Sequence, residues 1–279
     1  MPAHTNDIRI QDNLFNAEKI GDYYLNLCHS GNTLTHAVYE PISNKYLSLE
    51  HHIVKTSITD LLEGHSYLSG RFWKKINLSF VSSSFSLIPS TLFDVGQVNN
   101  YVQLNHGVSK DENCTYDIHK SLGITNCYAY SNNVINEFKQ FYAKEINISH
   151  HTTAFLKSIS PQSNQPEAHI LFLHKSITLA LYSQDKLTYL NVFEARTPED
   201  SLFYTLMAFK KLKLPQNTPT YLYGDISVFS SEYNRFKDFL SVINFAPRTT
   251  KYKFSLAFSE LDDHSFAHIY QIQNSTRNE

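Results

Sequence analysis

At 279 residues, with 42% hydrophobic and 14% aromatic side chains, the chain is long enough for one large domain or two moderate ones and apolar enough to fill their cores. Only 18% of residues are charged and the net charge is −2, which excludes a nucleic-acid binder held by bulk electrostatics and a polyanionic chain. The 18 tyrosines and 19 phenylalanines, against one tryptophan and two methionines, predict an interior filled largely by aromatic rings.

Residues 1–21 are polar, without a run of signal-peptide type, and read as a flexible or loosely docked lead-in. Three strands follow: Tyr23 to Cys28, Leu34 to Tyr39 and Tyr46 to Val54. Ser30-Gly31-Asn32 turns the first two into a hairpin, and Pro41 to Asn44 makes the next turn. A helix starts near Ser57, with Asp60 in its first turn and Leu61, Leu62, His65 and Leu68 on one side. Ile76 to Val81 and Phe85 to Ile88 are strands, the second stopped by Pro89. Leu92 to Leu104 reads as mainly helical. Beyond a polar loop, Cys114 to His119 and Cys127 to Tyr130 are strands, and Ser131 caps a helix carrying Val134, Ile135, Phe138 and Phe141. Ile146 to Ser149 reads as a strand and Thr152 to Ile159 as a helix.

The clearest break is Ser160-Pro161-Gln162-Ser163-Asn164-Gln165-Pro166, a linker by composition. It divides the chain into a half of residues 22–160 and a half of residues 161–279. The opening pattern then returns as three strands, His169 to Leu173, Ile177 to Tyr182 and Leu187 to Phe193. Thr197-Pro198-Glu199-Asp200 starts a helix: Thr197 caps it, Pro198 fits the first helical position, and Asp200 stands where a capping-box acid stands. Leu202, Phe203, Leu206, Phe209 and Leu212 are spaced for one buried face, and Lys210, Lys211 and Lys213 suit its last turn. Tyr221-Leu222-Tyr223 is a short strand stopped by Gly224. A second helix carries Phe229, Tyr233, Phe236, Leu240 and Ile243, with Ser230 or Ser231 as cap. Tyr252 to Phe258 reads as a last strand and Asp262 to Tyr270 as a last helix. Two copies of three strands followed by alternating helices and strands give an α/β class: a duplicated ribonuclease-H-like unit, two mixed β-sheets with helices on their faces.

The residues Leu87-Ile88-Pro89, Leu92-Phe93, Asn191-Val192-Phe193, Thr197, Glu199, Asp200, Tyr204, Leu212, Leu214 and the Tyr223-Gly224-Asp225-Ile226 turn carry a resemblance. By them the chain resembles a Bacteroidetes-type family of unknown function with an actin-like ATPase fold. The likeness runs from about Asp22 through nearly the whole chain. More distantly the chain is similar to cytoplasmic actin-like proteins of pilus and secretion machines. The resemblance implies the fold and no established activity.

Actin-like ATPases cradle phosphates on hairpin turns, hold magnesium through an acid on such a turn, and use glycines to admit adenosine. The corresponding stretches here are Leu27-Cys28-His29-Ser30-Gly31-Asn32, Leu173-His174-Lys175-Ser176 and Gly224, and neither turn carries a carboxylate. Ser30, Gly31, Asn32, Lys175, Ser176 and Gly224 are therefore the candidate nucleotide contacts, although a lysine placed like Lys175 is more often a solvated turn lysine and a glycine like Gly224 more often a plain strand-to-helix turn. No catalytic residue and no metal ligand is assigned. Tyr23 to Cys28 offers no acids for a two-metal nuclease. His51-His52 and His150-His151 are adjacent pairs whose side chains point to opposite faces, and the 14 histidines read as surface or packed imidazoles. Arg71-Phe72-Trp73-Lys74-Lys75 reads as a helix end running into a strand, and Cys28, Cys114 and Cys127 as reduced thiols.

These readings lead to a cytoplasmic, non-catalytic actin-like scaffold or regulatory module that binds a protein partner and needs no cofactor. It binds no nucleic acid and inserts in no membrane, since nothing reaches the roughly 20 apolar residues of a span. The alternative is a nucleotide-gated switch or enzyme binding ATP with magnesium, its acids drawn from Asp22, Glu194 or Asp225.

Overall fold

A computed structural model describes residues 8–162 and 164–275. Residues 1–7 of the lead-in, and Ser163 of the Pro-containing stretch, lie outside the described residues. The chain forms two compact units. The first holds residues 8–154, 250–260 and 269–275, and the second Phe155–Thr249 and Leu261–His268.

In the first unit, β1 (Ile8–Gln11) precedes a meander of β2 (Tyr24–Ser30), β3 (Thr33–Glu40) and β4 (Lys45–Ile53). Next come α1 (Ile58–Gly64), β5 (Lys75–Phe80), β6 (Phe85–Pro89), α2 (Val98–Gln103), β7 (Glu112–His119), β8 (Ile124–Ser131), α3 (Asn132–Tyr142) and β9 (Asn147–His150). The main sheet runs β1-β4-β3-β2-β5-β9. β2 is antiparallel to β3 and parallel to β5, and β5 is parallel to β9. Strand β3 is buried over seven of its eight residues, as a strand covered on both faces must be. Its core joins Leu25, Leu27, Leu34 and Val38 of the sheet to Leu62 of α1 and to Ile135 and Phe138 of α3, with Trp73 fully buried among them. The antiparallel sheet β6-β8-β7 stands apart, inserted between β5 and α3, and packs α2 through Val98 and Val102 onto Cys127 and Ala129.

α4 (His151–Ser158) carries the chain into the second unit. There β10 (Glu167–Leu173), β11 (Ser176–Ser183), β12 (Lys186–Glu194), α5 (Pro198–Lys211), β13 (Thr220–Gly224), α6 (Ser231–Phe239) and β14 (Ile243–Phe245) follow. The sheet order is β12-β11-β10-β13-β14, with β10 antiparallel to β11 and parallel to β13. Counted from its own first strand, this is the same order, with the same pairing senses, as β4-β3-β2-β5-β9. The duplicated α/β unit expected from the sequence is present in both sheets. Leu202, Ala208 and Phe209 of α5 and Phe236 of α6 close the second core over Ile170, Leu179 and Leu222. Thr197 and Asp200 form the expected reciprocal capping box.

Several expectations are corrected. The described part of the lead-in includes an edge strand, β1, paired antiparallel to β4, and a 3-10 turn at Ala17–Asp22. Helix α1 stops at Gly64, so His65 and Leu68 lie beyond it. Leu92 to Leu104 is mainly helical as expected, but in pieces: the last residue of a 3-10 turn at Ser90–Leu92, a second 3-10 turn at Val95–Gln97 and the short α2. Ser131 occupies the cap position of α3 but makes no side-chain capping bond. On α5, Phe203 is 61% exposed, because the buried stripe is narrower than the run of apolar residues. Helix α6 ends before Leu240, whose backbone is extended, and Ile243 begins β14 beside Thr220. The last strand shrinks to β15 (Lys253–Phe254), parallel to β4, followed by a 3-10 turn at Leu256–Glu260. The last helix is a 3-10 segment, Ile269–Asn274, rather than Asp262 to Tyr270.

Candidate functional site

The candidate nucleotide contacts fall on two tight turns and one strand end. In the first unit, Ser30 and Thr33 close the β2–β3 hairpin, leaving Gly31 and Asn32 exposed at its tip. Gly31 holds φ +56°, a left-handed conformation that favours glycine. The Ser30 carbonyl accepts from Thr33 Oγ1 at 2.9 Å, and the Asn32 carbonyl accepts from the Val54 amide at 2.7 Å. Asp22, a possible substitute acid, lies before β2 and so about 20 Å of strand away from this tip.

In the second unit, His174 and Lys175 form the β10–β11 turn between the paired Leu173 and Ser176. Lys175 is exposed, at φ +55°. His174 Nε2 and Ser176 Oγ are buried and make no hydrogen bond among the described residues. Burial lowers the His174 pKa, as does the neighbouring Lys175, while Asp225 opposes them. Glu194, paired across from Ser176, is exposed and bridged to Arg196 at 2.6 Å. Gly224 sits at φ +84°, and a Cβ there would come within 2.2 Å of the Phe172 carbonyl oxygen. The strand-to-helix turn thus demands glycine on backbone grounds alone. Within each unit the turn supplies amides, a hydroxyl or an ammonium but no oxygen cage, so these residues do not fit magnesium.

Gly224 ends β13, and beyond the carboxyl ends of β13 and β14 lies a groove of about 630 Å3. Its walls are Ser227 to Phe229, Phe245 to Pro247 and Leu261 to His264. His264 is tied in by the Gly224 amide, which donates to its carbonyl at 3.0 Å, and by its Nε2 contact to the Ile226 carbonyl at 2.6 Å. Phe229 is 91% exposed at the rim. In open α/β sheets this end is where ligands collect.

The first unit also gathers four groups that the sequence reading left apart. Glu50 and His36 face each other across β4 and β3, and His52 lies two residues beyond Glu50, on the same face. His65, the first residue after α1, reaches the same spot, so that one ligand atom from each of the four lies within 4.8 Å of the others. His65 Nε2 is 3.0 Å and His52 Nε2 3.5 Å from Glu50 Oε2. Burial raises the Glu50 pKa, but the His65 hydrogen bond, the nearby His36 and the Tyr67 hydroxyl pull it down to about 2. His51, on the opposite face, bonds Thr35 Oγ1 at 2.7 Å. His51 and His52 do point both ways, as expected, but His150 and His151 do not: the strand ends at His150, α4 begins at His151, and their ring centroids lie 4.5 Å apart. The informative spacing was Glu50-x-His52, which puts two donors on one face of a strand.

The remaining sequence features have structural roles. Residues 71–75 do not end a helix, since α1 stops at Gly64 and residues 70–73 are irregular. Trp73 is buried while Phe72 is 84% exposed, and Lys75 opens β5. All three thiols are free, and burial pushes those of Cys28 and Cys127 up to about 12. Among the described residues no helix is long and apolar enough to cross a membrane.

A family model for proteins of unknown function, DUF3822, matches residues 12–243. The chain belongs to the DUF3822 family. A Bacteroides thetaiotaomicron protein of unknown function with an actin-like ATPase fold superimposes with a TM-score of 0.73 at 21% identity, over 84% of this chain and 94% of that one. A structure of the PilM–PilN type IV pilus biogenesis complex gives 0.57 at 11% identity, over 89% and 97%. The ethanolamine utilization protein EutJ from Carboxydothermus hydrogenoformans gives 0.51 at 9%, over 95% and 92%. No curated protein matches the sequence. At these identities the likenesses establish the fold: this DUF3822 member has the actin-like ATPase fold.

Proposed function

We propose that this DUF3822 protein is a cytoplasmic, non-catalytic actin-like module that binds a protein partner, its halves 22–160 and 161–279 being two copies of one ancestral unit. The observation that carries this reading is the chemistry of the two hairpin turns. Ser30-Gly31-Asn32 and His174-Lys175-Ser176 keep the hairpins but bring no carboxylate to hold magnesium. A fold-relative, PilM, is known in complex with PilN, which supports partner binding as a use of this fold. The groove beside the exposed Phe229 is the surface we assign to that partner, since a solvent-facing aromatic over a concave wall suits an anchoring contact. Three free cysteines fit a reducing compartment.

A second reading, a nucleotide-gated switch, draws on the unbonded His174 Nε2 and Ser176 Oγ beside Lys175, which can receive an anion. Isothermal titration with magnesium-ATP separates the two. The first reading expects no heat up to millimolar nucleotide. Micromolar binding followed by phosphate release would overturn it, and binding weakened by Ser176→Ala and Lys175→Ala would install the second. For the partner, Phe229→Asp is expected to release a host protein captured by the wild-type chain while leaving the melting temperature unchanged.

A further inference from the structure

We infer that His36, Glu50, His52 and His65 form a binding site for one divalent transition cation of the zinc type. The site draws on three separate pieces of the first unit, and the reason they meet is a register shift. Near the β3–β4 turn, Glu40 pairs with Lys45 and Tyr39 with Tyr46. A bulge between Val38 and Tyr39 then shifts the pairing by one residue, so that His36 lies opposite Glu50. Without that bulge His36 would lie opposite Leu49, and Glu50 would face the other side of the sheet. The extended backbone of His65, at φ −89° and ψ 136°, turns its ring from the end of α1 onto the same face.

The three imidazole rings are spaced almost evenly: 5.3 Å between His36 and His52, 5.2 Å between His36 and His65, and 5.4 Å between His52 and His65. Tetrahedral zinc, with bonds of about 2.0–2.1 Å, needs donor atoms roughly 3.3 Å apart, so separations of up to 4.8 Å call for a contraction of at most about 1.5 Å. The surroundings already aim the donors. Tyr67 Oη donates to Glu50 Oε1 at 2.8 Å, and Arg9 Nε lies 3.2 Å from the same oxygen, leaving Oε2 toward His52 and His65. The Tyr67 hydroxyl also sits 2.8 Å from His36 Nε2. With the hydroxyl proton committed to Glu50, His36 Nε2–H donates to Tyr67, and the lone pair falls on His36 Nδ1. That nitrogen is buried and has no hydrogen-bond partner among the described residues, a costly state that a cation would relieve. Outer-shell partners of this kind are what orient ligands in metal sites.

His65 sets the cost. Its Nδ1 lies 3.4 and 3.3 Å from the Tyr67 and Leu68 amides, at the long edge of hydrogen bonding. Cation binding at Nε2 moves the ring proton to Nδ1 and gives up those two contacts. Three imidazoles and one carboxylate suit zinc rather than magnesium or calcium, which take oxygen ligands. With four protein donors the coordination shell is closed, so the role is structural: a clamp holding the end of α1 to the β3–β4 pair.

The test is titration of the EDTA-stripped full chain with ZnCl2, with MgCl2 and CaCl2 as comparisons, followed by thermal melting. One equivalent of zinc, a higher melting temperature with zinc alone, and at least about tenfold weaker binding in His52→Gln and His65→Gln are expected. Those two residues are chosen because their side chains are 14% and 10% exposed, and circular dichroism checks that the variants fold. His51→Gln, on the opposite face, should keep full affinity. No stoichiometric binding, or equal loss in His51→Gln and His52→Gln, would overturn the site.

Discussion

The most constrained single residues are those whose partners leave no alternative. His150 is fully buried, with Nε2 2.9 Å from the Ser82 carbonyl and Nδ1 2.7 Å from Thr152 Oγ1. The carbonyl can only accept, so Nε2 carries the proton and Nδ1 receives the Thr152 hydroxyl. Burial drops its pKa to about 3, and that of His151 also falls well below the ordinary value. The unfolded chain, with histidines near 6.5, therefore binds protons that the native state refuses as pH falls below that value. This stabilising term is complete above pH 6.5 and shrinks toward pH 3. From pH 6.5 to 5 the loss for His150 alone is about 2 kcal/mol. Urea unfolding at pH 7 and pH 5 should show the drop, and His150→Asn should reduce its slope by about one proton. A stability independent of pH across that window would contradict the assignment. Gly224 is equally fixed: Gly224→Ala adds left-handed strain and a clash with the Phe172 carbonyl, for a loss of at least about 2 kcal/mol by urea unfolding.

At the scale of elements, α5 shows sequence reading at its strongest. Thr197, Pro198 and Asp200 specify its start by local chemistry, and Thr197→Ala should cost about 1 kcal/mol, measured by denaturant unfolding. The paired meanders were legible for a similar reason, since long apolar runs between turn residues have few other readings. What failed were features decided by distant partners. Ile8–Gln11 became a strand only because β4 offers an edge, and four residues of alternation are too few to announce it. Ile243 fits the helical period of α6 yet joins β13 as a strand. Tyr252 to Phe258 alternates like a strand but finds just two pairing residues on β4. The cluster around Glu50 was hidden in the same way. Its donors are 14, 2 and 15 residues from Glu50, and the bulge that aligns them is a backbone event. For the nucleotide turns the sequence located the hairpins and their lack of acids, but not that His174 Nε2 and Ser176 Oγ would be buried without partners.

On the scale of the whole molecule, each unit depends on chain that is remote in sequence. Residues 250–260 and 269–275 belong to the first unit, where Phe258, Ile269, Tyr270 and Ile272 are buried. The Gln273 side chain accepts from Asn26 Nδ2 at 2.7 Å and from Tyr46 Oη at 2.5 Å, while Asn77 Nδ2 donates to Asn26 Oδ1 at 2.8 Å. Ending the chain after Thr249 would remove four large apolar side chains, at about 2–5 kcal/mol each, and would strip a partner from fully buried Asn26. That loss is comparable to the whole stability of a domain, about 5–15 kcal/mol. The truncated chain is therefore expected to lose the cooperative unfolding of the first unit, seen as a missing thermal transition, even though its entire β1-β4-β3-β2-β5-β9 sheet remains encoded. A truncated chain melting within a few degrees of the intact one would show that the returning segment is only a surface strap. Gln273→Ala within the full chain isolates the polar share: it leaves the aromatic packing in place, so its loss should be smaller, about 1–3 kcal/mol. The first unit is thus completed by residues 250–260 and 269–275, which follow most of the second unit in the chain, and its folding waits on them.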